Sequence, residues 1–452
     1  MQKPLIAVLI ASAFLTLDAQ AADLIQVYQQ ALANDAVFAS ARASLAVGQE
    51  RVPQARSLLL PTVGINGTHT RDDKDFSPWN EGQVGSLPGG GQGIISGGGA
   101  NTSTNSYTVS LSQPLFRWAN WQTYQQGKLL EAISQAQFAQ AQQDLITRVA
   151  QAYFDVLAAQ DTLESTRAQK TATTEQLASA KRNFEVGTQT ITDTHEAQAA
   201  YDLVVAQEFA AVNDLENKRT ALQAIVGDAP AALAPLKPGV TLASPEPSLI
   251  DPWVSSAQSQ NYGVVSAQLA LESSRRDIHK SRAGHYPTLD LIANATRANI
   301  SGRTSSSGDV NNKAIGVQWN VPLFNGFAVT SRVRESIALE DKARNDLEAT
   351  RRTAAQGVRQ AFRGVNNGLA QVKALEAAEV SSQSALESNK LGYQVGVRIN
   401  IDVLNAQRQL YSTRRDLSRA RYDTIMNGLR LKSAAGTLRE SDLEPVNNLL
   451  QK

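Results

Sequence analysis

Four stretches of the chain alternate polar and apolar residues with a period of two. In the first, Thr62, Gly64, Asn66 and Thr68 alternate with Val63, Ile65 and Gly67; in the second, Tyr107, Val109 and Leu111 alternate with Thr108, Ser110 and Ser112. The third sets Leu289, Leu291, Ala293 and Ala295 against Thr288, Asp290, Asn294 and Thr296. The fourth sets Ile315, Val317, Trp319 and Val321 against Gly316, Gln318 and Asn320. Period two predicts strands, and about ten residues is the length of a strand that crosses a membrane. Elsewhere the spacing changes. Leu145, Val149, Ala152, Val156, Ala159 and Leu163 step alternately by four and three, as do Val358, Phe362, Val365, Leu369 and Val372. That is a heptad seam, and by itself it reads as the core of a helical bundle.

Proline placement marks how far the helices run. All 15 prolines lie outside residues 115–229 and 323–444, two windows rich in Ala, Gln, Leu, Arg and Glu. Proline removes a helix donor and clashes with the preceding turn, so its absence is expected of long helices. Each window has one internal break, FEVGTQTITD at residues 184–193 and YQVGVRINID at residues 393–402. Gly187 and Gly396 suit the left-handed residue that ends a helix, and Thr190 and Asn400 are then available to cap the next one. Each window is therefore a helical hairpin. Its descending arm, from Trp118 to Phe184 in the first copy, is about 100 Å long, and its returning arm, from Thr190 to Val226, only about 55 Å. The helix-like segments 24–56 and 250–284, the first disturbed by Pro53, add about 50 Å each and make up the difference by stacking.

The two windows belong to a duplication. Pro61-Thr62 matches Pro287-Thr288, Pro114-Leu115-Phe116 matches Pro322-Leu323-Phe324, Ala152-Tyr153 matches Ala361-Phe362, and Leu222 to Gly227 matches Leu431 to Gly436. A repeat of this kind sets the architecture of the whole chain. The predicted organisation is a signal peptide at 1–21, a first repeat at 22–228, a proline-rich linker at 229–248, a second repeat at 249–437 and a tail at 438–452. The leader rests on Lys3, the apolar run Leu5 to Leu17 and the small residues around Ala21, which together have the three zones of a secretory signal. That run is too short to span a bilayer as a helix, and no other stretch is long enough.

Two features favour membrane strands over a soluble ribbon. Aromatic residues gather at the strand ends (Tyr286, Phe116, Trp118, Trp121, Phe324 and Phe327), and the joining loops GQVGSLPGGGQGIISGGG and SGRTSSSGDVNN are long, polar and glycine-rich. Four strands cannot close a barrel, and lipid does not tolerate open edges, so copies must pool their strands. Two copies give eight strands, a barrel filled by its own side chains; three give twelve, with room for a water-filled lumen. The fold expected is an α+β membrane protein of mostly long α-helices, four strands per chain joining a shared barrel.

Composition narrows the alternatives. The formal charge is +1, with acids and bases mixed, so nucleic acid is not an implied partner. The chain has no cysteine, which removes disulfides, thiolate metal sites and cysteine nucleophiles. The four histidines show no metal-ligand spacing and no cofactor is expected. No GxSxG, HExxH or paired SxxK and SDN motif supports an envelope hydrolase. A secreted trimeric helical adhesin or a periplasmic adaptor accounts for the heptads, but neither explains two strand pairs placed symmetrically between helices.

The leader, the duplicated strand-helix unit, the two Pro-Leu-Phe junctions, the tips FEVGTQTITDTHEAQAAYDL and YQVGVRINIDVLNAQRQLY, and the C-terminal AAGTLRESDLEPVNN together resemble the TolC-type outer-membrane channel family. The resemblance covers nearly the whole chain after Ala21. It implies a homotrimer, with a 12-stranded barrel in outer-membrane lipid and a trimeric α-barrel tunnel in the periplasm. It also implies a passive conduit for type I protein secretion or efflux of small toxic molecules, docked to a periplasmic adaptor and an inner-membrane ABC or proton-driven transporter. Cysteine's absence after the leader points away from the lipid-anchored branch. The resemblance places Asp402 at the pore constriction and Asn405 where the family often carries a second acid. It places Tyr393 and Arg398 where the family links neighbouring hairpins to a Thr-Asp pair, here Thr192 and Asp193. Read from local spacing alone, Asp193 and Asp402 are first-turn acids that favour a helix N-terminus.

Overall fold

The computed structural model describes residues 21–75, 84–86, 92–94, 99–228, 230, 232–302 and 308–451. The expected leader, up to Gln20, lies outside the described residues. In chain order the elements are α1 (Leu24–Asn34), α2 (Ala36–Gln49), α3 (Arg51–Ser57), β1 (Thr62–Asp75), β2 (Val84–Ser86), β3 (Gln92–Ile94), β4 (Gly99–Phe116), α4 (Trp118–Glu185) and α5 (Ile191–Val226). The second half holds α6 (Ile250–Gln260), α7 (Tyr262–Arg282), β5 (Thr288–Gly302), β6 (Gly308–Asn320), α8 (Ala328–Gln394), α9 (Asn400–Ala434) and α10 (Leu443–Asn447), with 3₁₀ turns at Ala283–His285 and Glu440–Asp442.

Contacts divide the chain across the repeats rather than between them. Of the described residues, those within 21–45, 135–267 and 347–451 form one compact unit and those within 46–134 and 268–346 the other, so each draws on both halves of the duplication. The first unit is helical. Its main core gathers the predicted α4 seam, all six residues of it buried, with Leu24, Val27 and Tyr28 of α1, Leu215 and Leu222 of α5, and Tyr422, Met426 and Leu429 of α9. In α8, Val358, Val365 and Val372 are buried while Phe362 and Leu369 are only partly so.

The linker and the tail belong to this core. Ala22 bridges Leu233 in parallel and Leu236 bridges Leu450 in antiparallel fashion. The Tyr153 hydroxyl donates to the carbonyls of both Ala22 (3.1 Å) and Ala234 (2.8 Å). Burial raises the Tyr153 phenol well above its ordinary pKa, and burial pushes Tyr28 up to about 12, so both phenols stay neutral.

Sequence patterning predicts two unbroken segments before the strands, and both are interrupted. The first breaks at Asp35, whose carboxylate accepts from the Phe38 amide and from Arg148 at 2.8 Å. It breaks again at Glu50, which puts Pro53 in the first turn of α3, where its missing N–H costs least. The second breaks at Asn261, whose side-chain oxygen accepts from the Gly263 (3.0 Å) and Val264 (3.3 Å) amides. Both breaks serve the stacking joint. Asn34 donates to the Val226 carbonyl at 2.8 Å and Asn261 to the Ala434 carbonyl at 3.0 Å, so the end of each short returning helix is capped from the segment stacked on it.

The second unit carries a four-stranded antiparallel sheet in the order β1-β4-β5-β6. Its strands are longer than the apolar alternation predicts, because backbone pairing continues where the side chains turn polar. The glycine-rich first loop is not wholly irregular: β2 and β3 pair within it, Val84 opposite Ile94.

Candidate functional site

Two regions are the candidate sites, the sheet and the hairpin tips. The register sorts the sheet into two chemically opposite faces. Val63, Leu111, Ala293 and Ile315 form one cross-strand row, Ile65, Val109, Ala295 and Lys313 the next, and Leu291 with Val317 and Leu289 with Trp319 continue the same face. Its large apolar side chains stand in the open: Ile65 is 75 % exposed, Ile315 78 % and Trp319 72 %. The opposite face carries Asn66, Thr108, Thr296 and Asn312 in one row, with Gly64, Ser110, Asn294 and Ala314 in another. Thr108 and Thr296 hydroxyls pair at 3.0 Å across it. A sheet with a bare apolar face and a wet polar face matches the wall of a membrane barrel, lipid outside and lumen inside. Lys313 sits among the apolar rows on an edge strand, where its long stem lets the ammonium reach the interface.

One end of the apolar band is built as an interface. Pro114 lies opposite Asp290 and Phe116 opposite Leu289, so Leu115 is an extra residue and the strand bulges before α4 begins. Arg117 then returns to Asp290 as a two-pronged pair, Nε to Oδ1 at 2.8 Å and Nη2 to Oδ2 at 2.6 Å. Asp290 is buried, so this pair fixes where the strand ends and the helix starts. Nearby Leu323, Phe324 and Phe327 are strongly exposed, and the Phe324 and Phe327 rings meet edge to face at 5.5 Å. Phe327 holds a φ of 64°, unusual for a bulky residue. Sequence reading singled out the aromatics but missed the Arg117–Asp290 pair, whose members are far apart in the chain.

Both hairpin tips form where the glycines stand. Gly187 (φ 74°) and Gly396 (φ 79°) are left-handed. Gly187 donates to the Phe184 carbonyl and Thr188 to that of Asn183; Gly396 donates to Tyr393 and Val397 to Gly392. These are Schellman closures, which need a residue without a Cβ at the turn. Beyond the first tip, Thr190 caps α5 in a capping box: its hydroxyl accepts from the Asp193 amide, and the Asp193 carboxylate accepts from the Thr190 amide at 3.1 Å and its hydroxyl at 2.8 Å. Beyond the second, the cap position is Ile399, and Asn400 is the first residue of α9 rather than its cap.

Asn400 has a different task. It is fully buried; Gln176 of α4 donates to its Oδ1 at 2.6 Å and its Nδ2 donates to the Asp193 carbonyl at 3.0 Å. Together with a Gln189 donation to the Tyr393 hydroxyl, it holds the two tips side by side. Leu177, Ala180, Ala197 and Leu404 form a small apolar core just behind them. Within one chain Arg398 meets Asp402, at 3.7 Å, and not Asp193, whose carboxylate is occupied by the cap. Tyr393 likewise reaches Gln189 rather than Thr192 or Asp193. Thr192 is exposed, and Asn405 lies on the exposed side of α9, one turn beyond Asp402.

Among the described residues no helix is long and apolar enough to cross a membrane, whereas the sheet has a bare apolar face and two unpaired edges. Fold and sheet together define an outer-membrane export channel whose barrel wall is shared between copies. Comparison with known proteins gives the same class. The family model "Outer membrane efflux protein" matches residues 27–228 and 253–437, one match for each repeat. The chain is 34 % identical over 430 residues to outer membrane protein TolC of Vibrio cholerae, covering 94 % of this chain and 93 % of that one. It is 31 % identical over 442 residues to the proteases secretion protein PrtF of Dickeya chrysanthemi, covering 94 % and 90 %. The crystal structure of outer membrane protein VceC from Vibrio cholerae superposes with a TM-score of 0.75 at 20 % identity, over 91 % of this chain and 96 % of that one. The chain belongs to the outer membrane efflux protein family, and three copies complete its barrel.

Proposed function

We propose that the paired tips are the periplasmic gate of this export channel, opened when a periplasmic adaptor and an inner-membrane ABC or proton-driven transporter dock there. The observation that carries the reading is the joining of the two tips: Asn400 and Tyr393 hold both hairpins together beside Arg398 and Asp402. Repeated about a three-fold axis, that arrangement sets three Asp402 carboxylates around the pore, a ring that attracts and partly dehydrates cations. Tyr393 and Arg398 then serve as links to Thr192 and Asp193 of the neighbouring copy. Exchange of Arg398 between its own Asp402 and a neighbour's Asp193 is energetically easy, because exposed pairs are worth about 0–1 kcal/mol. Asn405, where the family often has an acid, keeps the ring at one carboxylate per copy.

Single-channel recording tests the gate. Asp402→Ala weakens block by divalent cations applied from the tip side, and Asn405→Asp strengthens it. Unchanged block in both variants removes this segment from the constriction.

For cargo, the reading includes both secreted protein and small toxic molecules. PrtF is by its name a secretion protein for proteases, and the family model is named for efflux. Deletion in the source bacterium tests this: loss of one secreted protein establishes the first cargo, gained sensitivity to dyes and bile salts the second.

A further inference from the structure

Two cations stand side by side on the apolar face of the sheet, where a plain lipid-facing wall has no use for them. Going along that face from the helix end of the strands towards their loops, Leu111, Ala293 and Ile315 form one row. Val109, Ala295 and Lys313 form the next, and Tyr107, Arg297 and Asn311 the one after. Trp319 and Tyr107 are four rows apart, about 27 Å along the strands. At a strand tilt of about 40° that is about 20 Å of height, close to the apolar band of a membrane barrel. Tyr107 and Arg297 therefore mark the loop-side rim of the band, with Lys313 one row inside it. The tunnel helices lie in the periplasm, so this rim meets the outer leaflet.

Arg297 and Lys313 are diagonal neighbours on adjacent strands, roughly 7–8 Å apart and within reach of one another's long side chains. Both are exposed. Arg297 has Asp309 at 3.8 Å, on the row farther out, and that carboxylate also accepts from Asn299 at 2.6 Å. Among the described residues Lys313 has no ion pair. Two like charges this close at the edge of a low-dielectric region repel unless an anion lies between them. Directly beneath them the same rows cut a trough. β5 contributes only Ala293 and Ala295 to it, while β4 and β6 raise Val109, Leu111 and Ile315 on either side, leaving a groove of about 330 Å³. Leu291 stands across its helix end and Arg297 across its loop end.

We propose that Lys313 and Arg297 clasp the phosphate of an outer-leaflet lipid, one of whose acyl chains lies in the trough over Ala293 and Ala295. The guanidinium offers a planar fork and the ammonium a point charge, and both donate charge-assisted bonds to phosphate oxygens. The phosphate relieves the repulsion between the two cations, which a neutral headgroup does not. Within a bilayer an acyl chain gains nothing from leaving water, so the trough contributes by packing alone. Selectivity therefore rests on the phosphate, and the trough fixes where the lipid lies. Asp309 competes for Arg297 but is too far out to reach past it to Lys313, which keeps the inner half of the clasp positive.

Native mass spectrometry of the detergent-purified trimer tests the clasp, with lipid A, an acylated and doubly phosphorylated sugar, as the probe. The parent protein retains lipid A, and binds the same lipid stripped of its phosphates about tenfold more weakly or worse. Lys313→Gln and Arg297→Gln each weaken lipid A by about tenfold, whereas Lys181→Gln, which removes an exposed cation of α4, leaves it unchanged. Ala293→Leu fills the trough and weakens both forms of the lipid alike. Equal binding of the two forms by the parent, or undiminished lipid A binding in both cation variants, overturns the proposal. Displacement of lipid A by an equimolar amount of inorganic phosphate overturns the lipid in favour of a free anion. A Lys313→Gln trimer that holds lipid A normally but dissociates at a lower temperature shows Lys313 paired with a neighbouring copy, and overturns the clasp. Should neither cation variant assemble, the parent's preference between the two forms and the effect of Ala293→Leu decide, and the absence of either overturns it.

Discussion

Asp161 is a half-buried carboxylate of the helical unit, and its surroundings make it a pH-dependent cost. Burial raises its pKa, while hydrogen bonds from Tyr422, at 2.8 Å, and from Ser418 hold it down; Glu164 adds to the rise and Arg421 opposes it. Tyr422 is itself raised by burial and by the Asp161 charge beside it, so it remains the donor. A raised folded-state pKa means that the folded chain binds this proton more tightly than the unfolded one. The contribution of Asp161 to stability is therefore full below the ordinary carboxylate range and is lost as pH rises through the shifted value. Asp161→Asn keeps an acceptor for Tyr422 and removes the charge. Its heat-dissociation temperature should match that of the parent in acid and exceed it near neutrality; a gap that does not grow with pH contradicts this account. None of this is legible in the sequence, where Asp161 and Tyr422 are two unremarkable polar positions on helices far apart in the chain. Gly187, Gly396 and Thr190 are legible because their roles depend on residues within one turn. Asn400 is not, because the partners that bury it come from the other hairpin.

At the scale of elements, the chain solves one problem twice. Each short returning helix must end inside the protein, and each end is met by an asparagine from the segment stacked on it, Asn34 at Val226 and Asn261 at Ala434. Asn261→Ala removes that donor and the cap on α7, and is expected to cost about 1–2 kcal/mol. Thr190→Ala, which loses the capping box at the tip, is expected to cost about 1 kcal/mol. Hydrogen exchange separates them: Thr190→Ala speeds exchange in the first turn of α5, whereas Asn261→Ala speeds it at the end of α9 and the start of α7. Uniform acceleration along the helical unit contradicts both assignments. The helices and strands were readable because their periods, seven and two, are written into consecutive residues. The breaks at Asp35 and Asn261 were not, since a polar residue inside a helical pattern looks the same whether it faces solvent or ends the helix. The strand lengths were underestimated for a related reason: side-chain alternation marks only the part of a strand that meets lipid, while the backbone ladder from Thr62 to Asp75 continues beyond it.

For the whole molecule, the duplication and the open sheet explain each other. Each repeat supplies one helical hairpin and two strands of the four-stranded sheet, and among the described residues that sheet is open, with β1 and β6 at its edges. Joining further copies gives β1 and β6 backbone partners. The linker and tail, which look like connecting segments in the sequence, instead complete the helical core through Leu233, Ala234, Leu443 and Leu450. Their docking was hidden because short apolar runs with prolines carry no period. The central claim is that the apolar face of the sheet meets lipid only when several copies seal its edges around water. Planar-bilayer recording of the detergent-purified protein tests it most directly. The account predicts uniform stepwise conductance from the trimer fraction, abolished when heating dissociates that fraction to single chains. Equal conductance from single chains, or a monomer that never enters the bilayer, contradicts it.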